Sequence, residues 1–176
     1  VDPLVLATCG LLGLKRVFRV GGAQAVAGLA FGTASLPAVD LVAGPGNIFV
    51  QLAKQQLAGR IGIDGFYGPS EILTLADRSA DPQRIASDLL AQAEHDPGRC
   101  LLIAWQPEVL DAVEEAMAAQ LPNLSRRPAI EAALEGDSAL VEARDEDEAV
   151  ALADRVAAEH VSLAVAEPER LMKRIQ

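Results

Sequence analysis

Short runs of Val, Leu and Ile, each bounded by Gly, Pro, Asn or Asp, alternate along this chain with longer stretches of helical spacing. That alternation is what most restricts the fold. It reads as helix from Val1 to Leu14, strand from Lys15 to Val20, helix over Ala23 to Ala30, and strand from Val39 to Val42. A helix over Ile48 to Leu57 and a strand over Ile61 to Asp64 follow. After Gly68-Pro69-Ser70 come strands at 71–76, 100–105, 139–143 and 161–165. Helices between them cover 82–95, 107–121 and 129–134, another opens at Asp145, and a last one opens at Glu167-Pro168. Strand–helix alternation of this kind is the signature of a parallel α/β layer. Aromatics make up 3% of the residues, so the core must be Ala, Val, Leu and Ile, the usual filling of a parallel sheet covered by helices. Cys9, Cys100, Trp105, Phe18, Phe49 and Phe66 read as packing residues.

The break near Gly68 divides the chain into two layers. The expectation is residues 1–70 as the tail of one α/β layer and 71–176 as a second. Both would be incomplete, Rossmann-like and truncated, because the chain opens on Val1 and its last helix breaks off mid-turn. A net charge of −10 without a dominant basic patch argues against nucleic acid. No apolar run reaches membrane-spanning length, which argues against a membrane role. Two cysteines make no disulfide framework, and a cytoplasmic compartment is the default.

Chemistry concentrates in a few places. Gln92 and His95 stand three residues apart at the end of the helix opened by Asp81-Pro82, which Asp96-Pro97-Gly98 stops. An amide oxygen and an imidazole presented together are half of a zinc site. The same spacing also fits a polar helix terminus whose His95 interacts with the last carbonyls. The only other histidine, His160, follows Glu159. Both histidines lie where a helix gives way to a turn or strand, expected to be the edge where open α/β sheets place their sites. His160 can move a proton near neutral pH, and Glu159 can act as a second base on water. Alternatively, His160 is a partly buried strand-start residue beside a solvated Glu159.

Gly44-Pro45-Gly46-Asn47 leads into a helix and could receive an anion on free N–H groups, or Asn47 could simply cap that helix. Gly21-Gly22-Ala23-Gln24 has the same two readings. Gly68-Pro69-Ser70-Glu71 puts the Ser70 hydroxyl at the layer boundary, where ligand clefts tend to lie; it also fits a plain turn.

Taken together, Gly21-Gly22-Ala23-Gln24-Ala25, Gly44-Pro45-Gly46-Asn47, Gly68-Pro69-Ser70-Glu71, Gln92-Ala93-Glu94-His95-Asp96 and Glu159-His160 occur in the order and spacing of histidinol dehydrogenase. From about Lys15 to Val165 the chain resembles the middle of that family. The resemblance implies an NAD-linked, zinc-dependent oxidation of L-histidinol through L-histidinal to L-histidine, the closing step of histidine synthesis. It implies Gln92 and His95 as zinc ligands; Ser70, Gln92, His95 and His160 as substrate contacts; Gln24 and Asn47 as NAD contacts; and Glu159 and His160 as the catalytic pair. It further implies a homodimer, with the remaining zinc ligands, an aspartate and a histidine, beyond this stretch. The stretch alone is then expected to hold zinc weakly and to be inactive. Gly65-Phe66-Tyr67 departs from the commoner family wording, which leaves room for a related enzyme acting on another small polar alcohol. A separate alternative is a non-catalytic α/β binding module that keeps the fold and has lost the chemistry.

Overall fold

The computed structural model describes residues 2–68, 70–95 and 98–176. Asp96 and Pro97 of the expected helix stop, Pro69 of the boundary turn, and Val1 lie outside the described residues. The chain forms two units, one running to Tyr67 and the other spanning Gly68–Gln176. The expected limit at residue 70 falls slightly late, because Ser70 already opens a strand of the second unit.

In the first unit, helix α1 (Pro3–Leu11) starts where Asp2 caps the Leu4 N–H at 2.7 Å and Pro3 presets the first turn. Helix α2 (Gly22–Phe31), strand β1 (Leu41–Val42), helix α3 (Ile48–Leu57) and strand β2 (Gly62–Ile63) follow. β1 and β2 pair in parallel, Leu41 opposite Gly62. Lys15–Val20 is not the expected strand. It runs without regular structure and has no ladder partner among the described residues, and a strand exists only through its hydrogen-bonded neighbour. Phe18, Phe49 and Phe66 are exposed, against the expectation of packing, and Cys9 is only partly covered. On α3 the buried side chains are Gln51 and Lys54, while Ile48, Phe49 and Leu52 face outward.

The second unit is a four-stranded, wholly parallel sheet in the order β5-β4-β3-β6, with β3 Ser70–Ala76, β4 Gly98–Ala104, β5 Ala139–Glu142 and β6 His160–Ala164. Cys100, Leu102 and Ala104 point to one face and Leu101 and Ile103 to the other, so β4 is buried on both sides. Helices α4 (Pro82–Ala93), α5 (Pro107–Gln120) and α6 (Arg127–Glu135) cover the first face through Leu89, Val113 and Ile130. Helices α7 (Glu146–Val156) and α8 (Pro168–Met172) cover the other through Val150 and Leu171. Each fully buried Leu contributes roughly 1.5–3 kcal/mol. The change of face accompanies the change of direction, since the chain steps from β3 to β4 to β5 and then returns past them to β6.

Capping side chains open two of these helices, α4 and α7. Asp81 accepts from the Gln83 N–H at 3.0 Å and Pro82 follows. Asp145 accepts from the Glu148 N–H at 2.9 Å, and three acidic residues fill the first turn of α7, where the helix dipole favours them. Ala157 ends α7 in the left-handed conformation at φ 49°. No helix among the described residues is long and apolar enough to cross a membrane.

Candidate active site

Parallel strands all begin on one edge of their sheet. Ser70, first in β3, is the register partner of Gly98, first in β4; His160, first in β6, is the partner of Ile72. β3 lies between the other two, so β4 and β6 stand two strand spacings apart, about 10 Å. The end of α4 closes over the start of β4: a Cβ built on Gly98 would fall 2.6 Å from the Gln92 carbonyl oxygen and 2.8 Å from that of His95. Ser70, Gln92, His95, Glu159 and His160 therefore gather at the amino edge of one sheet.

This placement corrects one expectation. Open α/β sheets place ligands outside the carboxyl ends of their strands. A helix-to-strand connection arrives at the amino ends instead, and both histidines sit in such connections.

Helix α4 ends at Ala93, short of the expected His95. The His95 N–H donates to the Gln92 carbonyl at 3.2 Å, a tightened last turn that leaves the imidazole exposed. Gln92 is half-buried, and its side-chain Nε2 is buried without a hydrogen-bond partner among the described residues. Leaving such a group unsatisfied costs about 1–3 kcal/mol, so it calls for a ligand, water or ion. Turning the amide about its last bond exchanges oxygen and NH₂ in the same space, which lets that buried end offer oxygen to a cation. An oxygen and an imidazole nitrogen from one helix end fit zinc chemistry. The described residues contain no group of three or more His, Cys, Asp or Glu placed to share a metal.

His160 Nε2 lies 3.8 Å from Glu159 Oε2, with side chains 62% and 38% exposed. Glu159 Oε2 also accepts a long bond, 3.4 Å, from the Glu71 N–H. Glu71 is itself paired with Arg99 at 3.3 Å, and Arg99 donates to the Asp137 carbonyl at 3.1 Å. That pairing offsets the Glu71 charge beside Glu159. The sequence motifs include Glu71 without giving it a role and leave out Arg99; their signal was two opposite charges at the polar starts of two strands that are otherwise apolar.

In the first unit, Gln24 is exposed in the first turn of α2. Asn47 caps α3, its Oδ1 accepting from the Val50 N–H at 3.2 Å, and its NH₂ makes no hydrogen bond among the described residues. The capping reading of Asn47 is thus realised in a way that leaves two donors for another acceptor. Cys100 is buried, donates from Sγ to the Leu89 carbonyl at 3.0 Å, and burial pushes its thiol up to about 11, so it is inert packing.

The chain matches the histidinol dehydrogenase family profile over residues 1–176. It is 49% identical to a histidinol dehydrogenase of Rhodopirellula baltica over 172 residues, covering 98% of this chain and 37% of that protein. It is 48% identical to one from Parasynechococcus marenigrum, covering 100% of this chain and 40% of the relative. The crystal structure of histidinol dehydrogenase from Elizabethkingia anophelis superposes with a TM-score of 0.90 at 32% identity, over 100% of this chain and 41% of that one. A propionaldehyde dehydrogenase of Clostridium phytofermentans, 15% identical with a TM-score of 0.51, covers 85% of this chain and 46% of that one and shares the fold alone. The chain thus spans about two fifths of the length of the relatives it matches.

Proposed function

The chain belongs to the histidinol dehydrogenase family, and on that premise we propose that the protein containing it oxidises L-histidinol through L-histidinal to L-histidine, with NAD as acceptor and zinc as resident metal. The observation that carries the reading is the strand register, which sets Ser70 and His160 on neighbouring strand starts beside the helix end of Gln92 and His95.

Gln92 and His95 would hold the metal, the rest of its ligands coming from outside this chain, one of them across a homodimer. Zinc supplies a fixed positive anchor for the substrate's imidazole and amine, and NAD supplies the hydride acceptor. The chain's own residues do the placement and the proton work. Ser70 orients the substrate by hydrogen bonding. His160 removes the proton from the alcohol oxygen, which requires the neutral imidazole. Glu159 removes a proton from the water that adds to the aldehyde carbon. Asn47 and Gln24 present amide donors at the starts of α3 and α2 for the dinucleotide. Placement of this kind and proton transfer are the two contributions a protein makes to a cofactor's redox step.

The test is turnover by the protein containing this chain, supplied with NAD, zinc and L-histidinol. The reading expects histidine as product with two NADH formed for each. No turnover of histidinol contradicts it. Turnover of another small polar alcohol in its place selects the related-enzyme reading, for which the Gly65-Phe66-Tyr67 wording leaves room.

A further inference from the structure

Lys54 is the least expected side chain of the first unit. It is charged, yet 1% exposed. Its ammonium donates to the Gly44 carbonyl at 2.5 Å and to Asp64 Oδ1 at 2.7 Å. The other oxygen of Asp64 accepts from the Gly44 N–H at 2.8 Å and from the Tyr67 hydroxyl at 3.0 Å. The Tyr67 ring stands under the ammonium, 5.2 Å from its centroid. One turn back on α3, Gln51 donates to the Gly46 carbonyl at 3.2 Å and accepts from the Tyr67 N–H at 3.1 Å.

The same turn is therefore gripped at Gly44 N–H, Gly44 C=O and Gly46 C=O. Gly44 has φ +126°, a conformation other residues rarely adopt. Only Lys54 of the pair is buried, the Asp64 side chain being 21% exposed, and burying a charge in an ion pair is a poor way to stabilise a fold, since apolar residues of similar volume often do as well or better. What apolar residues cannot do is fix the direction of peptide groups. Lys54 and Asp64 fix both ends of the Gly44 residue, just ahead of Asn47. The Lys54 hydrogen bond, with help from the Gly44 N–H, holds the Asp64 carboxyl well below the usual carboxylate range, so Asp64 stays ionised near neutrality.

We propose that Lys54 and Asp64 are positioning residues for the dinucleotide, their ion pair fixing the Gly44–Asn47 turn so that the Asn47 amide is held ready for NAD. This rests on Asn47 being an NAD contact. The position of a contacting group matters steeply, because a misplacement of about 1 Å can cost as much as a hundredfold.

The experiment measures NADH affinity by fluorescence titration and the steady-state constants of the protein containing this chain. Asn47→Ala, Lys54→Met and Asp64→Asn are each expected to weaken NADH binding about tenfold or more; for Lys54→Met and Asp64→Asn the KM for histidinol and the kcat at saturating NAD change little. The double variant Lys54→Met with Asp64→Leu is expected to recover the melting temperature while NADH binding stays weak. Recovery of both would reduce the pair to fold support and overturn the proposal. Undiminished binding in Asp64→Asn, when Asn47→Ala has weakened it, overturns the proposal and leaves the Asn47 reading standing. Undiminished binding in Asn47→Ala removes that reading and the proposal with it. Asp64→Asn keeps the size and one acceptor, so it gives the answer should Lys54→Met fail to fold.

Discussion

His160 stands directly opposite Ile72 across the β6–β3 pair, two positions into a strand that begins at Ser70. β3 therefore overhangs β6 at the amino edge, and Glu159 comes beside the Glu71 N–H, at 3.4 Å. The two residues proposed to handle protons share one strand start with distinct surroundings, and separable effects are expected. His160→Asn in the protein containing this chain is expected to lower kcat for histidinol oxidation ~10²–10⁴-fold with substrate KM nearly unchanged. Glu159→Gln is expected to stall the second half-reaction, so that aldehyde accumulates and NADH falls from two per substrate towards one. Product analysis by mass spectrometry checks both, and unchanged turnover in either variant contradicts the assigned role.

Asp77 stitches the far edge of the same sheet. It accepts from the Ser79 hydroxyl and N–H and, at 3.0 Å, from the Ala166 N–H just beyond β6. Partial burial works to raise its pKa, but these hydrogen bonds outweigh it and hold the carboxyl below its ordinary value. A carboxylate favoured in the folded state stabilises above its unfolded pKa of about 3.9, and that stability is lost as pH falls through the lower folded pKa. Asp77→Asn is expected to cost about 1 kcal/mol near neutrality. The gap from wild type should hold constant above about pH 5 and close below about pH 4, read by denaturant unfolding across pH.

The two units differ in how much core they own. Residues 68–176 bury two apolar clusters on the two faces of a four-stranded sheet. The first unit buries Val26, Ala30, Leu36 and Val42 and exposes Phe31, Ile48 and Phe49, the last at 66%. A segment of residues 68–176 is expected to unfold cooperatively on its own. A segment of residues 1–67 is expected to bind an apolar-surface dye and melt without a sharp transition. Within the larger segment, Leu89→Ala should cost about 2–5 kcal/mol and Leu140→Ala, half-exposed on β5, much less. Calorimetry of the two segments decides between this and two equally stable halves.

The second unit was legible from the sequence because its signals agree. Asp81-Pro82, Asp145 with its acidic turn, and the apolar runs at 71–76 and 100–104 all point to one arrangement, and the fold has it. The first unit was less legible. Lys15–Val20 has an alternating pattern and no strand partner among the described residues, and α3 turns its polar residues inward. Periodicity reports which residues would suit a buried face, not whether a neighbouring strand or helix is there to bury them. The candidate residues were found through the order of five short motifs. Lys54 and Asp64 escaped because neither belongs to a motif, and their partnership appears only when α3 and the residues after β2 are brought together.

The most direct test of the account is the position of zinc in crystals of the protein containing this chain, located by its anomalous scattering. A single strong peak is expected about 2.0–2.2 Å from an imidazole nitrogen of His95 and at similar distance from the Gln92 side-chain oxygen. A peak held elsewhere, with Gln92 and His95 left without metal, would contradict it.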